Sequence, residues 1–95
     1  MATIDISRNH ALPLADAKKK AEELAAGMAI KLGIVWSWEN DTIVFHAPSG
    51  MAKGAKGTVD VSTSAVRVQV DLPFMLKMMK GTVEEKINEK LKTLL

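Results

Sequence analysis

Apolar and polar residues alternate along five short segments of the chain, and this pattern restricts the fold more than any other feature. The segments centre on Ile4 and Ile6, on Ile34 to Glu39, on Ile43 and Phe45, on Val59 and Val61, and on Val66 to Leu72. A period of two is typical of a strand with one buried and one solvated face. The sequence therefore predicts five half-buried strands in an antiparallel sheet.

Two other segments have apolar residues every three or four positions, as in an amphipathic helix. The first stripe comprises Leu14, Ala17, Ala21, Leu24, Met28 and Leu32, and the second comprises Leu76, Met79, Val83, Ile87, Leu91 and Leu94. Pro13 is suited to the start of the first helix and Gly33 to its end. Gly27 weakens that helix and is interpreted as a point of close packing against the sheet. Gly81-Thr82 interrupts the second segment, which is therefore predicted as two helices or one kinked helix.

The element order is strand, helix, four strands and helix, which predicts one α+β domain over residues 1–95. We expect a curved antiparallel sheet of five strands, covered on one face by two helices, of which the carboxy-terminal one is long. In element order this resembles a shortened helix-grip fold.

Two connections in the predicted sheet have distinct compositions. Asn40-Asp41 is predicted to be a two-residue turn, which pairs Trp38 with Ile43 and Trp36 with Phe45. The stretch from Pro48 to Gly57 holds three of the six glycines and is predicted to be a long, mobile hairpin loop. It lacks the Gly-Lys-Ser/Thr ending of a phosphate-binding loop.

Composition excludes several function classes. The chain has no cysteine, which rules out disulfides, thiolate metal sites and a cysteine nucleophile. Its 13 basic and 11 acidic residues give a net charge of +2, which favours no particular partner. No apolar run is long enough for a membrane span and no signal peptide is recognisable, so a cytoplasmic protein is expected.

No residue pattern points to a catalytic, metal or cofactor site. Neither His10 nor His46 has a second ligand at a metal-binding spacing. An enzyme that uses one of them as a base beside Asp5 or Asp71 stays a minor hypothesis. Nucleic-acid binding is not expected, because the aromatic residues lack an adjacent basic stripe.

Two groups of residues are candidates for binding. Trp36, Trp38 and Phe45 are interpreted either as large core residues or as the lining of a pocket between sheet and helix. The second group belongs to a segment that is apolar on more than one side of a helical turn, and it consists of Phe74, Met75, Met78 and Met79. That turn is either buried within the monomer or contacts a homodimer partner, a hydrophobic ligand or an apolar particle.

Several stretches resemble the polyhydroxyalkanoic acid system protein family of small bacterial proteins. The stretches are His10-Ala11-Leu12-Pro13-Leu14, the segment from Trp38 to Phe45, and the segment from Val66 to Leu72 running into Phe74. The resemblance implies an accessory, non-enzymatic protein that associates with polyester storage granules or their proteins. It supplies no catalytic residues. A small hydrophobic-ligand-binding domain of helix-grip type is the alternative that the residues leave open.

Overall fold

The computed structural model describes residues 3–49 and 53–94, which form a single layer of two helices on a five-stranded sheet. The strands are β1 (Ile4–Asn9), β2 (Val35–Glu39), β3 (Thr42–His46), β4 (Lys56–Val61) and β5 (Ala65–Asp71). Helix α1 spans Leu14–Leu32, and α2 spans Lys80–Leu94 after a 3-10 turn at Phe74–Met79. The predicted α+β fold is confirmed, and the 3-10 turn and α2 together make the longer helical segment.

The sheet is antiparallel throughout, with the strand order β1-β5-β4-β3-β2. The predicted hairpin register is confirmed, since Trp38 lies opposite Ile43 and Trp36 opposite Phe45. Asn40 has a φ of 58°, the left-handed conformation that this two-residue turn needs. The alternation of apolar residues therefore sets the register, because a slip of one residue would expose the whole inner face.

The core lies between the inner face of the sheet and the two helices. Its fully buried side chains include Ile43, Val59 and Val68 from one row across three strands, and Leu24 and Leu91 from the helices. Helix α1 packs over β2, β3 and β4, whereas α2 packs over β1. The two helices therefore cover different strands of the sheet, and they also contact each other.

Local interactions define the ends of the helical segments. Gly33 ends α1 in the left-handed conformation, with a φ of 71°, and its amide donates to the carbonyl of Ala29. Pro73 precedes the 3-10 turn, and its carbonyl accepts a hydrogen bond from the amide of Leu76. The predicted division of this segment into two helices is confirmed, but Gly81 and Thr82 lie in the first turn of α2 and are not the point of division. The change of helix type lies earlier, between Met79 and Lys80.

The predicted loop from Pro48 to Gly57 is too long at its carboxy-terminal end. Ala47 and Ala55 pair through a backbone hydrogen bond of 2.8 Å, and β4 begins at Lys56. Gly57 is therefore a residue of the sheet, placed between Phe45 on β3 and Val70 on β5. The mobility of the loop stays a prediction, since residues 50–52 lie outside the described part of the chain.

Candidate functional site

A groove of about 610 Å³ lies between α1 and α2, above one end of the sheet. Its lining is mainly apolar and comes from both helices, the 3-10 turn and the sheet. The apolar lining residues are Leu24, Met28, Ile34, Phe45, Ala55, Val70, Leu72, Leu76, Met79, Val83 and Ile87. Clefts of this size and character are typical of sites for small ligands, and we call this one the interhelical groove.

The floor of the interhelical groove depends on a glycine in the sheet. Phe45, Gly57 and Val70 are neighbours across β3, β4 and β5 on the inner face. A Cβ atom at Gly57 would stand only 2.7 Å from Cζ of Phe45. Because Gly57 has no side chain, the ring of Phe45 can lie over its backbone, and Phe45 is only 3% exposed.

The 3-10 turn forms one end of the groove, and its apolar side chains differ in exposure. Leu76 and Met79 are three residues apart, so they lie on one face of a 3-10 helix, and both line the groove. Phe74 and Met78 instead extend into solvent, with 86% and 94% of their surface exposed. The side chain of Met75 lies outside the described residues. Burial of the whole turn within the monomer is therefore wrong for Phe74 and Met78.

The rim of the groove along α2 is polar. Four polar residues lie along one line on the helix surface, because they are spaced by four, three and four positions. They are Thr82, Lys86, Glu89 and Thr93. Lys90 lies beside this line and reaches across to α1, where its Cε would be 3.9 Å from a Cβ atom at Gly27. Gly27 thus faces α2, and its interpretation as a point of close packing against the sheet is wrong.

The two tryptophans do not line the interhelical groove. Trp38 donates a hydrogen bond of 2.7 Å from Nε1 to Glu22 of α1, and the ammonium group of Lys18 lies 5.3 Å from its ring centre. Lys18 also forms an ion pair with Asp41 in the β2–β3 turn. Trp36 borders a shallow depression with α1 residues such as Lys19 and Ala26. The structure therefore separates the tryptophans from Phe74, Met78 and Met79, whereas Trp36 remains the cross-strand neighbour of Phe45.

His10 has both ring nitrogens engaged with the backbone. Nδ1 accepts a hydrogen bond of 3.1 Å from the amide of Leu12, and Nε2 lies 2.8 Å from the carbonyl oxygen of Ser62. Nε2 is the ring nitrogen placed to donate to this carbonyl, since Nδ1 accepts. His10 thereby ties the end of β1 to the turn between β4 and β5.

Other candidate acid–base residues are on the outer face of the sheet. Asp5 forms a two-bond pair with Arg67, whose guanidinium hydrogen bonds hold the pKa of that carboxyl below its usual range. His46 is exposed opposite Lys56. Among residues 3–49 and 53–94, no three histidine or carboxylate side chains converge on a metal position.

Sequence reasoning identified part of this site. It selected Phe45 and Met79, which line the groove, but not Met28, Lys86 or Lys90. Lysines on an amphipathic helix resemble a solvated surface, and nothing in the sequence says where the second helix will pass. The sequence feature that could have located the groove is Gly27, because a glycine leaves no side chain on the face of α1 that meets Lys90.

Comparison with known proteins gives a match to a protein family. The family model described as "Putative polyhydroxyalkanoic acid system protein" matches residues 4–95. No curated protein and no solved structure matches the chain. No helix in the described residues is both long and apolar enough to cross a membrane.

Proposed function

This chain belongs to the polyhydroxyalkanoic acid system protein family, and on that premise we propose that it is a non-enzymatic accessory protein that binds the apolar surface of polyester granules. The contact is made by the two exposed apolar side chains of the 3-10 turn, Phe74 and Met78. The protein would then reside at granules in the cytoplasm, and its partner is the polymer surface itself.

The observation that carries this proposal is the exposure of two large apolar side chains within five residues. Phe74 and Met78 are 86% and 94% exposed, in a chain whose other apolar residues are mostly buried. Complete burial of such a side chain is worth about 1.5–3 kcal/mol. A polyester surface of alkyl groups offers this burial, and the flexible side chain of methionine adapts to an irregular contact.

Co-sedimentation with polyhydroxyalkanoate granules stripped of their own proteins tests the proposal. We expect the double variant Phe74→Ser, Met78→Ser to bind at least about tenfold more weakly than wild type, since a loss of about 1.4 kcal/mol suffices for that factor. Ile30→Ser is the matched control, because Ile30 is 87% exposed but lies on α1. Equal binding by wild type and the double variant would contradict the proposed contact.

A second candidate function is the binding of a small hydrophobic ligand, and the interhelical groove supports it. The groove has an apolar interior and a polar rim, as ligand-binding clefts commonly do. Its residues are distinct from Phe74 and Met78, so the two candidate functions can be tested separately. The tryptophan hairpin, in contrast, is occupied by its contacts with α1.

A further inference from the structure

We propose that the interhelical groove binds one aliphatic carboxylate of medium chain length, with the carboxylate at the lysine rim and the chain against the floor. The inference rests on the second candidate function and names its ligand class. The head group would contact Lys86 and Lys90, and the chain would extend toward Leu76 and Met79.

The interior of the groove favours a hydrocarbon chain. Its floor and walls are built from residues such as Phe45, Val70, Leu72 and Val83, and its volume of about 610 Å³ falls within the common range for ligand clefts. No polar or charged side chain is buried anywhere in the described part of the molecule. A ligand with polar groups along its length would lose hydration there without gaining hydrogen bonds.

The rim favours a negative head group. Lys86 and Lys90 line the groove together with one carboxylate, Glu89, so the charged residues of the rim carry a net charge of +1. Neither lysine has a salt-bridge partner among the residues that the structure describes. Thr82 adds a hydroxyl group on the same side, whereas the hydroxyl of Thr93 donates to the carbonyl oxygen of Glu89. A single carboxylate can therefore pair with a lysine at the rim while its chain stays inside.

The dimensions favour a chain of medium length. Seven residues separate Met79 at one end of the groove from Lys86 at the rim, which is about 10 Å along a helix. The stem of Lys90 reaches toward Gly27 of α1. A chain much longer than this separation would have to emerge past Leu76 and Met79 into water.

Isothermal titration calorimetry with sodium decanoate tests the ligand class. We expect saturable binding by wild type, with decyltrimethylammonium, which has the same chain and the opposite charge, binding at least about fivefold more weakly. The variant Lys86→Glu should weaken decanoate binding about fivefold, as expected for one exposed charge pair. Lys92→Glu makes the same charge change on α2 outside the groove lining and should leave binding within about twofold of wild type.

Two substitutions at one position test the location. Gly27→Leu places a side chain in the groove and should weaken decanoate binding more than about tenfold. Gly27→Ala adds only a Cβ atom, in ordinary contact with Lys90, and should retain binding. Both residues are better helix formers than glycine, so neither variant should lower the thermal unfolding temperature. Loss of binding with a preserved unfolding temperature would then report a filled groove.

The possible results of these titrations distinguish an error in the ligand class from an error in the location of the site. Equal binding of decanoate and decyltrimethylammonium, with both lost in Gly27→Leu, would overturn the carboxylate assignment but keep a hydrophobic-ligand site. Unchanged decanoate binding in Gly27→Leu would overturn the site. No binding of either amphiphile to wild type would contradict both the inference and the second candidate function. Granule binding through Phe74 and Met78 is not affected by any of these results.

Discussion

Replacing Gly57 with alanine is expected to lower the free energy of unfolding by about 3 kcal/mol. The added Cβ atom would overlap the carbonyl oxygen of Gln69 and would stand 2.7 Å from Cζ of Phe45 and 3.1 Å from Cα of Val70. Two of these neighbours are backbone atoms of β5, paired on both sides within the sheet. Overpacking at such a position typically costs about 1–3 kcal/mol, and more where the surroundings cannot move.

Urea denaturation followed by circular dichroism measures this effect. Gly81→Ala is the matched control, because a Cβ atom at Gly81 has no neighbour within 4 Å. Since Gly81 lies inside α2, its replacement should raise stability by up to about 1 kcal/mol. A Gly57→Ala variant as stable as wild type would show that Phe45 does not lie over the glycine, and the floor of the interhelical groove would then be incorrectly described.

Replacing Leu24 with alanine should also destabilise the fold, by about 2–5 kcal/mol. Leu24 is 2% exposed and packs in the core beneath α1. Truncation removes apolar contacts and leaves a cavity that the surrounding side chains fill only in part. A domain of this size has a total stability of about 5–15 kcal/mol, so the loss would be visible as a large shift of the denaturation midpoint.

Ile30→Ala is the control for Leu24→Ala on the same helix. Ile30 is 87% exposed, so its truncation removes little buried area and gives a better helix former. We expect a change within about 0.5 kcal/mol of wild type. Equal destabilisation by the two variants would contradict the described orientation of α1 on the sheet.

The strands, their register and the span of α1 were predictable because each depends on a short pattern of residues. The alternation of Val66, Val68 and Val70 with polar neighbours leaves one arrangement that buries the valines. The turn at Asn40-Asp41 then fixes how the two tryptophans pair with Ile43 and Phe45. The break in the last helical segment was also predictable, but Gly81 placed it slightly too late, because α2 begins at Lys80.

The location of the candidate sites was less predictable, because it depends on how separate elements meet. Trp38 alternates like a core residue, yet its indole group reaches Glu22 on the flank of α1. Lys86 and Lys90 belong to a charged helix surface in the sequence, and only the path of α2 beside α1 brings them to the groove. The exposure of Phe74 and Met78 likewise follows from the 3-10 geometry, which aligns Leu76 with Met79 instead.

A fluorescent label at position 78 tests the proposed granule contact most directly. The chain has no cysteine, so Met78→Cys and, as a control, Ser37→Cys each carry one environment-sensitive dye. Ser37 is exposed on β2, far along the chain from the 3-10 turn. On mixing with protein-free polyhydroxyalkanoate granules, we expect a blue shift of the emission from position 78 and no shift from position 37. Equal shifts at both positions, or no shift at position 78, would contradict granule binding through this turn.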